Sequence, residues 1–202
     1  MYSLYELQHI PRPQDFYGDI LRHHREEARL TVRVAAEKTG VHRNSIDRYE
    51  MAQTEPGFEN YIKLENCYRE IVRARKLRIS KREEMEKQGL LFGTIYDPDE
   101  GYKEWERQML GTAFFRHPYE WTDLMPLSLD MFCGDILREH RTEARETLEE
   151  LGEKVCINMR QLSRYERGDA VPSITHYCFI EDHLRKEVLR QQRLERTGYF
   201  RV

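Results

Sequence analysis

The chain lacks the residue patterns that most often mark a metal site or a disulfide-rich fold. It has four cysteines among 202 residues, none of them in a CxxC pair, and its eight histidines have no zinc-ligand spacing. No stretch approaches the roughly 18 apolar residues of a membrane span, and the first residues do not have the pattern of a signal peptide. We therefore expect a soluble intracellular protein with reduced, buried thiols, no membrane association and no cofactor or metal.

An excess of positive charge is also missing. Lys and Arg number 33 against 36 Asp and Glu, so the net charge is −3. Proteins that bind nucleic acid usually carry a basic surface, and any such surface here must be local. The sequence has no phosphate-binding loop, nucleophile–base pair or paired-carboxylate motif. These absences predict that the protein is not an enzyme.

The chain does contain an ungapped internal repeat at a spacing of 116 residues. Gly-Asp-Ile-Leu-Arg occurs at residues 18–22 and again at 134–138, and Arg-Tyr-Glu occurs at 48–50 and 164–166. Chance does not produce such a run without a gap. A duplicated segment of about 55 residues predicts two similar small helical domains in one chain.

Apolar residues recur at helical spacing in each copy. In the first copy the pattern predicts helices over about 16–29, 32–39 and 43–51. Thr31 is a suitable cap for the second helix, and Gly40 suits the left-handed turn that follows it.

A fourth helix is expected to open at Pro56, because proline is tolerated in a first helical turn. The helical pattern then continues to about Gly89, and in the second copy to about Gly198. We therefore predict an all-α fold with two tandem domains of about five helices each and extended C-terminal helices.

The segment between the copies is rich in aromatic residues and includes both tryptophans, Trp105 and Trp121. Such side chains need burial, so we expect an ordered connector that packs against the two copies and fixes their orientation. Residues 1–15 are expected to form a packed arm. The predicted division is a first domain over 1–92, the connector over 93–130 and a second domain over 131–202.

Both copies resemble the Cro and phage-repressor type of helix-turn-helix domain, also called the xenobiotic-response-element type. The resemblance rests on Leu-Glu-Glu-Leu-Gly-Glu-Lys-Val at 148–155, Leu-Ser-Arg-Tyr-Glu-Arg-Gly at 162–168 and the following Pro172. It covers residues 16–68 and 132–184. It implies a cytoplasmic, repressor-like transcription regulator that binds double-stranded DNA and is associated with a bacterial or phage-type nucleoid.

The resemblance also implies which residues read DNA. In this family the third helix enters the major groove, and its first residues and the position one turn later face base edges. Arginine can pair with guanine and asparagine with adenine there. The corresponding residues are Arg43, Asn44, Asp47 and Arg48 in the first copy and Met159, Arg160, Ser163 and Arg164 in the second.

A second set of residues is assigned to structure. The family often buries an arginine of helix one against a glutamate at the end of helix three. These places are held by Arg25 and Glu50 in the first copy and by Arg141 and Glu166 in the second. The histidines of helix one, His23, His24 and His140, are expected to be solvated or capping residues.

Two functions follow from the sequence. The first is a transcription regulator whose two recognition helices read two half-sites, with the extended helices offering a surface for homodimerisation. The second is an interaction module, antitoxin-like or anti-regulator, that retains the fold and binds protein with weak or no DNA binding. Two departures motivate it: Val32 and Leu148 replace the family's polar phosphate contact, and acidic residues crowd helix two of the second copy, namely Glu146, Glu149 and Glu150.

Overall fold

The computed structural model describes residue 13, residues 16–89 and residues 127–196. Within these ranges it contains eight α-helices and one short 3-10 helix, and no strand. The all-α prediction is confirmed. The expected N-terminal arm, residues 93–126 of the expected connector and the expected helix end near Gly198 lie outside the described residues. No helix in the described part combines the length and apolar character needed to cross a membrane.

The eight helices form two sets of four. After the 116-residue shift the first three helices of each set have the same boundaries, and the fourth helices begin at equivalent residues. We refer to α1–α4 as unit one and to α5–α8, with the preceding 3-10 helix Leu129–Met131, as unit two. The helices are α1 Asp19–Glu27, α2 Val32–Thr39, α3 Arg43–Glu50, α4 Phe58–Lys87, α5 Asp135–Glu143, α6 Leu148–Val155, α7 Met159–Glu166 and α8 Ile174–Arg196.

The fourth helix of each unit differs from the expectation. It begins at Phe58 after the N-cap Gly57, so Pro56 precedes the cap and does not open the helix. Neither α4 nor α8 contains glycine or proline, and the expected fourth helix and its extension are one continuous helix. Each unit therefore has four helices, and the 30 residues of α4 reach about 45 Å.

Helix α1 is shorter than predicted, since it begins at Asp19. The backbone N–H of Gly18 donates to the carbonyl of Tyr49 at 2.9 Å, and that of Gly134 donates to Tyr165 at 2.7 Å. In both units this bond ties the start of the first helix to the end of the third. The bond therefore fixes the position of the third helix relative to the first.

Unit one has its own apolar core. Leu21, Ile46, Leu64, Tyr68 and Val72 are essentially inaccessible to solvent and pack together with Ala35 and Val41. Burying a large apolar side chain contributes roughly 1.5–3 kcal/mol. Helices α1 and α2 pack on α4, and α3 packs on α1 and α2. This packing stabilises the three short helices, because helices of eight or nine residues are marginal in isolation.

The core of unit two is continuous with an aromatic cluster that joins the two units. Phe58 stacks on Phe132 with ring centroids 4.1 Å apart, and Phe16 lies 6.3 Å from Phe132 and from Tyr177. Polar contacts add to the cluster: Glu55 accepts hydrogen bonds from the backbone N–H and hydroxyl of Thr175 at 3.0 and 2.8 Å. The two units therefore pack directly on each other.

Candidate nucleic-acid interface

The turn between α6 and α7 is built by local hydrogen bonds. Thr147 caps α6 and forms a capping box with Glu150, whose carboxylate accepts the Thr147 backbone N–H at 2.8 Å. Asn158 caps α7 by accepting the backbone N–H of Arg160 at 2.8 Å. Between the caps, Cys156 adopts a left-handed conformation with φ 56°. The second and third helices of unit two are therefore joined by only three residues.

The same turn in unit one uses different residues. Thr31 accepts the backbone N–H of Val34 at 3.3 Å, as the sequence predicted. Gly40 adopts the left-handed conformation with φ 72°, and His42 caps α3 by accepting the Asn44 N–H at 3.2 Å. Glycine adopts this conformation without the steric cost that a side chain adds.

The backbone of the turn after α6 comes so close to Gly152 that a side chain would not fit there. A Cβ atom at this position would lie 2.8 Å from the carbonyl oxygen of Ile157 and 3.6 Å from Leu162 Cδ1. The turn therefore packs directly against the helix that precedes it. Ala36 occupies the equivalent position in unit one.

The residues predicted to read DNA lie on the outer side of α3 and α7. The inner sides bury Ile46, Tyr49 and Glu50 in unit one, and the three equivalent residues in unit two. Six of the eight predicted reading residues are exposed, and Asp47 and Ser163 are half-buried. The structure thus brings each set of four to one solvent-facing helix surface.

The outer surface of α7 is strongly cationic. It forms a shallow pocket of about 350 Å³ with the first residue of α6, lined by Leu148, Met159, Arg160, Ser163, Arg164 and Arg167. Arg167 is held in place by Ser163 and by Asp169, whose Oδ2 lies 2.7 Å from Arg167 Nε. Within the described ranges the guanidinium groups of Arg160 and Arg164 have no hydrogen-bond or ion-pair partner.

The outer surface of α3 is less cationic. Arg43 Nε lies 4.0 Å from Asp47 Oδ2, so part of the positive charge is neutralised within the helix. Asn44 stands where unit two has Arg160, and Met51, 66% exposed, stands where it has Arg167. The outer surfaces of α3 and α7 therefore carry different charged, polar and apolar side chains.

The four residues assigned to ion pairs lie together in both units. Arg25 donates to both carboxylate oxygens of Glu50, at 2.7 and 2.8 Å, and its third contact is the Leu30 carbonyl at 2.7 Å. Arg141 makes the same two bonds to Glu166, at 2.6 and 2.9 Å. The hydrogen bond to Glu50 raises the pKa of Arg25 above its ordinary value. These pairs orient the end of the third helix against the first.

The prediction for the helix-one histidines was wrong for His24 and His140. Both are buried, and their Nδ1 atoms lie 2.7 Å from Glu65 and 2.8 Å from Glu181. Burial alone would raise the pKa of Glu65, but His24 and Arg69 outweigh it and hold that pKa below its ordinary value. The repeat contained the missed signal, because His and Glu are retained at both pairs of equivalent positions.

Two further expectations need correction. Glu146 does not crowd the exposed start of α6, because it is 7% exposed and contacts Lys154 and His183 Nε2, the latter at 3.0 Å. The thiols are not all buried, since Cys156 is exposed and Cys67 is half-buried. Among the described residues no group of three His, Cys, Asp or Glu side chains is arranged to hold a metal ion.

Comparison with protein families agrees with this geometry. A model described as a helix-turn-helix domain matches residues 17–66, and one described as helix-turn-helix matches residues 137–188. The searches of curated proteins and of solved structures return no significant match. The two matched segments together span about half of the chain, and each runs from the region of a unit's first helix into its fourth helix. The chain thus carries two helix-turn-helix domains of the Cro and phage-repressor type in tandem, a family of DNA-binding regulators.

Proposed function

We propose that the protein is a sequence-specific transcription regulator that reads two half-sites of double-stranded DNA with α3 and α7. The observation that carries this proposal is the aromatic cluster between the units. It holds two recognition helices in one body, as a dimer interface does for a single-domain repressor. The domain limits 1–92 and 131–202 and the eight reading residues predicted from the sequence belong to this proposal.

The aromatic cluster supports an inverted arrangement of the half-sites. Phe16 and Phe132 are equivalent residues and pack against each other, and Tyr61 and Tyr177, also equivalent, belong to the same cluster. An interface that pairs the same patch from both partners is typical of two-fold symmetry, whereas a head-to-tail repeat pairs different patches. Two-fold related readers match half-sites of opposite orientation.

Selection of bound duplexes from a random pool tests the proposal. We expect enrichment of two unlike half-sites in inverted orientation, with centres about one helical turn apart. A duplex with one half-site reversed should bind more weakly than the selected one. Enrichment of direct repeats would contradict the inverted arrangement, and absence of any enriched sequence would contradict sequence-specific binding.

Substitution of the recognition helix tests the readout. Arg160→Ala combined with Arg164→Ala should weaken binding to the selected duplex at least about tenfold, because each arginine–guanine contact contributes about 1–3 kcal/mol of discrimination. The matched control, Lys186→Ala with Arg190→Ala, also removes two exposed positive charges but from α8. Specific binding that survives the α7 substitutions would overturn the proposed readout.

The second candidate function is a protein-interaction module without useful DNA affinity. Two exposed methionines on or next to the recognition helices, Met51 and Met159, favour it because apolar side chains are common in protein interfaces. The burial of Glu146 removes one of the acidic residues that motivated this alternative. The two functions differ in salt dependence: DNA binding weakens steeply as salt increases, and a protein-only module shows no such DNA affinity.

We also propose homodimerisation through the extended helices. Leu77 and Met85 of α4 are 55% and 42% exposed, and they lie beyond Arg75, where the buried residues of this helix end. Sedimentation equilibrium of the full chain tests this, and Leu77→Glu with Met85→Glu should shift a dimer to monomer. A monomer at all concentrations would contradict it without affecting the proposed DNA readout.

A further inference from the structure

The pocket on unit two combines two kinds of surface. One wall is apolar, formed by Leu148, the first residue of α6, and Met159, the first residue of α7, which is 48% exposed. Another part of the lining is cationic, formed by Arg160 and Arg164, which are one helical turn apart. An exposed methionine beside a half-buried leucine has no evident role in polar recognition of DNA.

The major groove presents one apolar group that fits such a wall, the 5-methyl group of thymine. Guanine presents two acceptors, O6 and N7, that fit an arginine. A pyrimidine methyl group next to a guanine would therefore fit both parts of the lining. Because Arg167 is already held by Ser163 and Asp169, it is suited to border the pocket while Arg160 and Arg164 reach the bases.

Unit one lacks this combination. Arg43 replaces Met159 and forms an ion pair with Asp47, so the start of α3 offers no apolar wall. Val32, which replaces Leu148, is smaller. The difference gives the molecule an internal control, because a methyl preference caused by the pocket should occur at one half-site and not at the other.

We propose that unit two is specific for a pyrimidine 5-methyl group adjacent to guanine, with Leu148 and Met159 contacting the methyl group and Arg160 or Arg164 pairing with the guanine. This specificity rests on the proposed DNA-binding function. The methyl group belongs to thymine or to 5-methylcytosine, which present the same group at the same ring position.

The test uses the full chain and the duplex obtained by selection. Each thymine is replaced in turn by deoxyuridine, which removes only the methyl group, and affinity is measured by fluorescence anisotropy. We expect a loss of about fourfold for at least one thymine of the unit-two half-site. Replacements in the unit-one half-site should have little effect. Equal affinity for thymine and uracil throughout the unit-two half-site would overturn the inference.

One double variant separates a methyl contact from an indirect effect that replacing thymine by uracil has on DNA shape. In Met159→Gln with Leu148→Gln, the difference in affinity between the thymine and uracil duplexes should disappear. Thermal unfolding checks that the variant is folded. A thymine preference that persists in this folded variant would overturn the assignment to the pocket.

The same duplex also tests whether the methyl group is recognised on thymine alone or on 5-methylcytosine as well. The sensitive thymine–adenine pair is replaced by cytosine–guanine and by 5-methylcytosine–guanine. Tighter binding of the methylated pair supports recognition of the methyl group from either source, and no gain assigns the pocket to thymine. If the chain binds no duplex at all, the proposed function fails as well, and this result is distinct from binding without methyl discrimination.

Discussion

Unit one and unit two share two buried polar pairs but differ on the outer surfaces of their third helices. The bidentate Arg25–Glu50 pair has its equivalent in unit two, and so has the buried pair of His24 with Glu65. On the outer side of the third helix, however, Asn44 faces solvent where unit two has Arg160. Changes at such exposed positions usually alter stability by less than about 0.5 kcal/mol. The two copies have therefore kept these buried pairs, while the outer surfaces of their third helices have diverged.

One internal difference between the units is a paired change. Leu30 and Cys67 pack against the apolar core of unit one. At the equivalent positions unit two has Glu146 and His183, which lie 3.0 Å apart and replace an apolar contact by a polar one. Either substitution alone would leave a polar group facing an apolar neighbour, which is costly when the group is buried.

The largest expected effect is the loss of stability when the ion-paired arginine of either unit is removed. Comparing the two losses tests whether the pair contributes equally in both units. Arg25→Ala and Arg141→Ala should each lower the free energy of unfolding by about 3–5 kcal/mol, because each removes the bidentate partner of a buried glutamate. Chemical denaturation followed by circular dichroism measures this. Arg22→Ala, which removes an exposed arginine from the same helix, should have little effect. A loss below about 1 kcal/mol in one unit would show that the pairs are not equivalent.

The second prediction concerns the close turn of unit two. Gly152→Ala should lower the free energy of unfolding by about 1–3 kcal/mol, because the added Cβ would meet the Ile157 carbonyl oxygen at 2.8 Å. The reverse change in unit one, Ala36→Gly, should cost only about 0.5–1 kcal/mol, the usual effect of glycine within a helix. Stabilisation by Gly152→Ala, as helix propensity alone predicts, would contradict the packing argument.

The third prediction concerns acid stability. The pKa of Glu65 is below its ordinary value of about 4.5 in the folded state, so the unfolded chain takes up this proton first as the pH falls. The contribution of Glu65 is therefore complete above the unfolded pKa and is lost as the pH falls towards the folded pKa. Glu65→Gln should be less stable at neutral pH and should lose stability less steeply below about pH 4.5.

The free energy of unfolding of wild type and of Glu65→Gln, measured from neutral pH down to about pH 3, gives the slope of stability against pH for each protein. Glu59→Gln, which alters an exposed carboxylate on the same helix, serves as the control and should leave the slope unchanged. An equal slope for wild type and Glu65→Gln would show that the buried pair with His24 is not the acid-sensitive contact.

The smallest expected effect is a gain in stability. Cys156→Gly should raise the free energy of unfolding by about 0.5–1 kcal/mol, since a side chain in the left-handed conformation costs more than the extra entropy of glycine. Thermal unfolding measures the increase. In unit one the opposite change, Gly40→Ala, should destabilise by a similar amount. A lower melting temperature for Cys156→Gly would mean that the thiol contributes packing that its exposure does not suggest.

Helix boundaries could be predicted closely because their signals are local. Thr31 and Gly40 bound α2 at the predicted residues, since a cap and a left-handed turn depend on neighbours a few residues away. The predicted start of the fourth helix, at Pro56, was two residues too early. A proline can precede a cap such as Gly57 as well as stand in the first turn, so the sequence did not distinguish the two positions. The resemblance to the helix-turn-helix family implied the outward position of Arg160 and Arg164, and both side chains are exposed. Their role in reading DNA belongs to the proposed function.

By itself, the sequence determined the duplication, the all-helical fold and the place of the third helix in each unit, because these depend on spacing along the chain. Only the tertiary structure decided that His24 meets Glu65, that Glu146 turns towards His183, and that Phe58 stacks on Phe132 to join the units. Such contacts connect residues dozens of positions apart. They depend on how helices cross and pack, and periodicity within one helix carries no information about its partner.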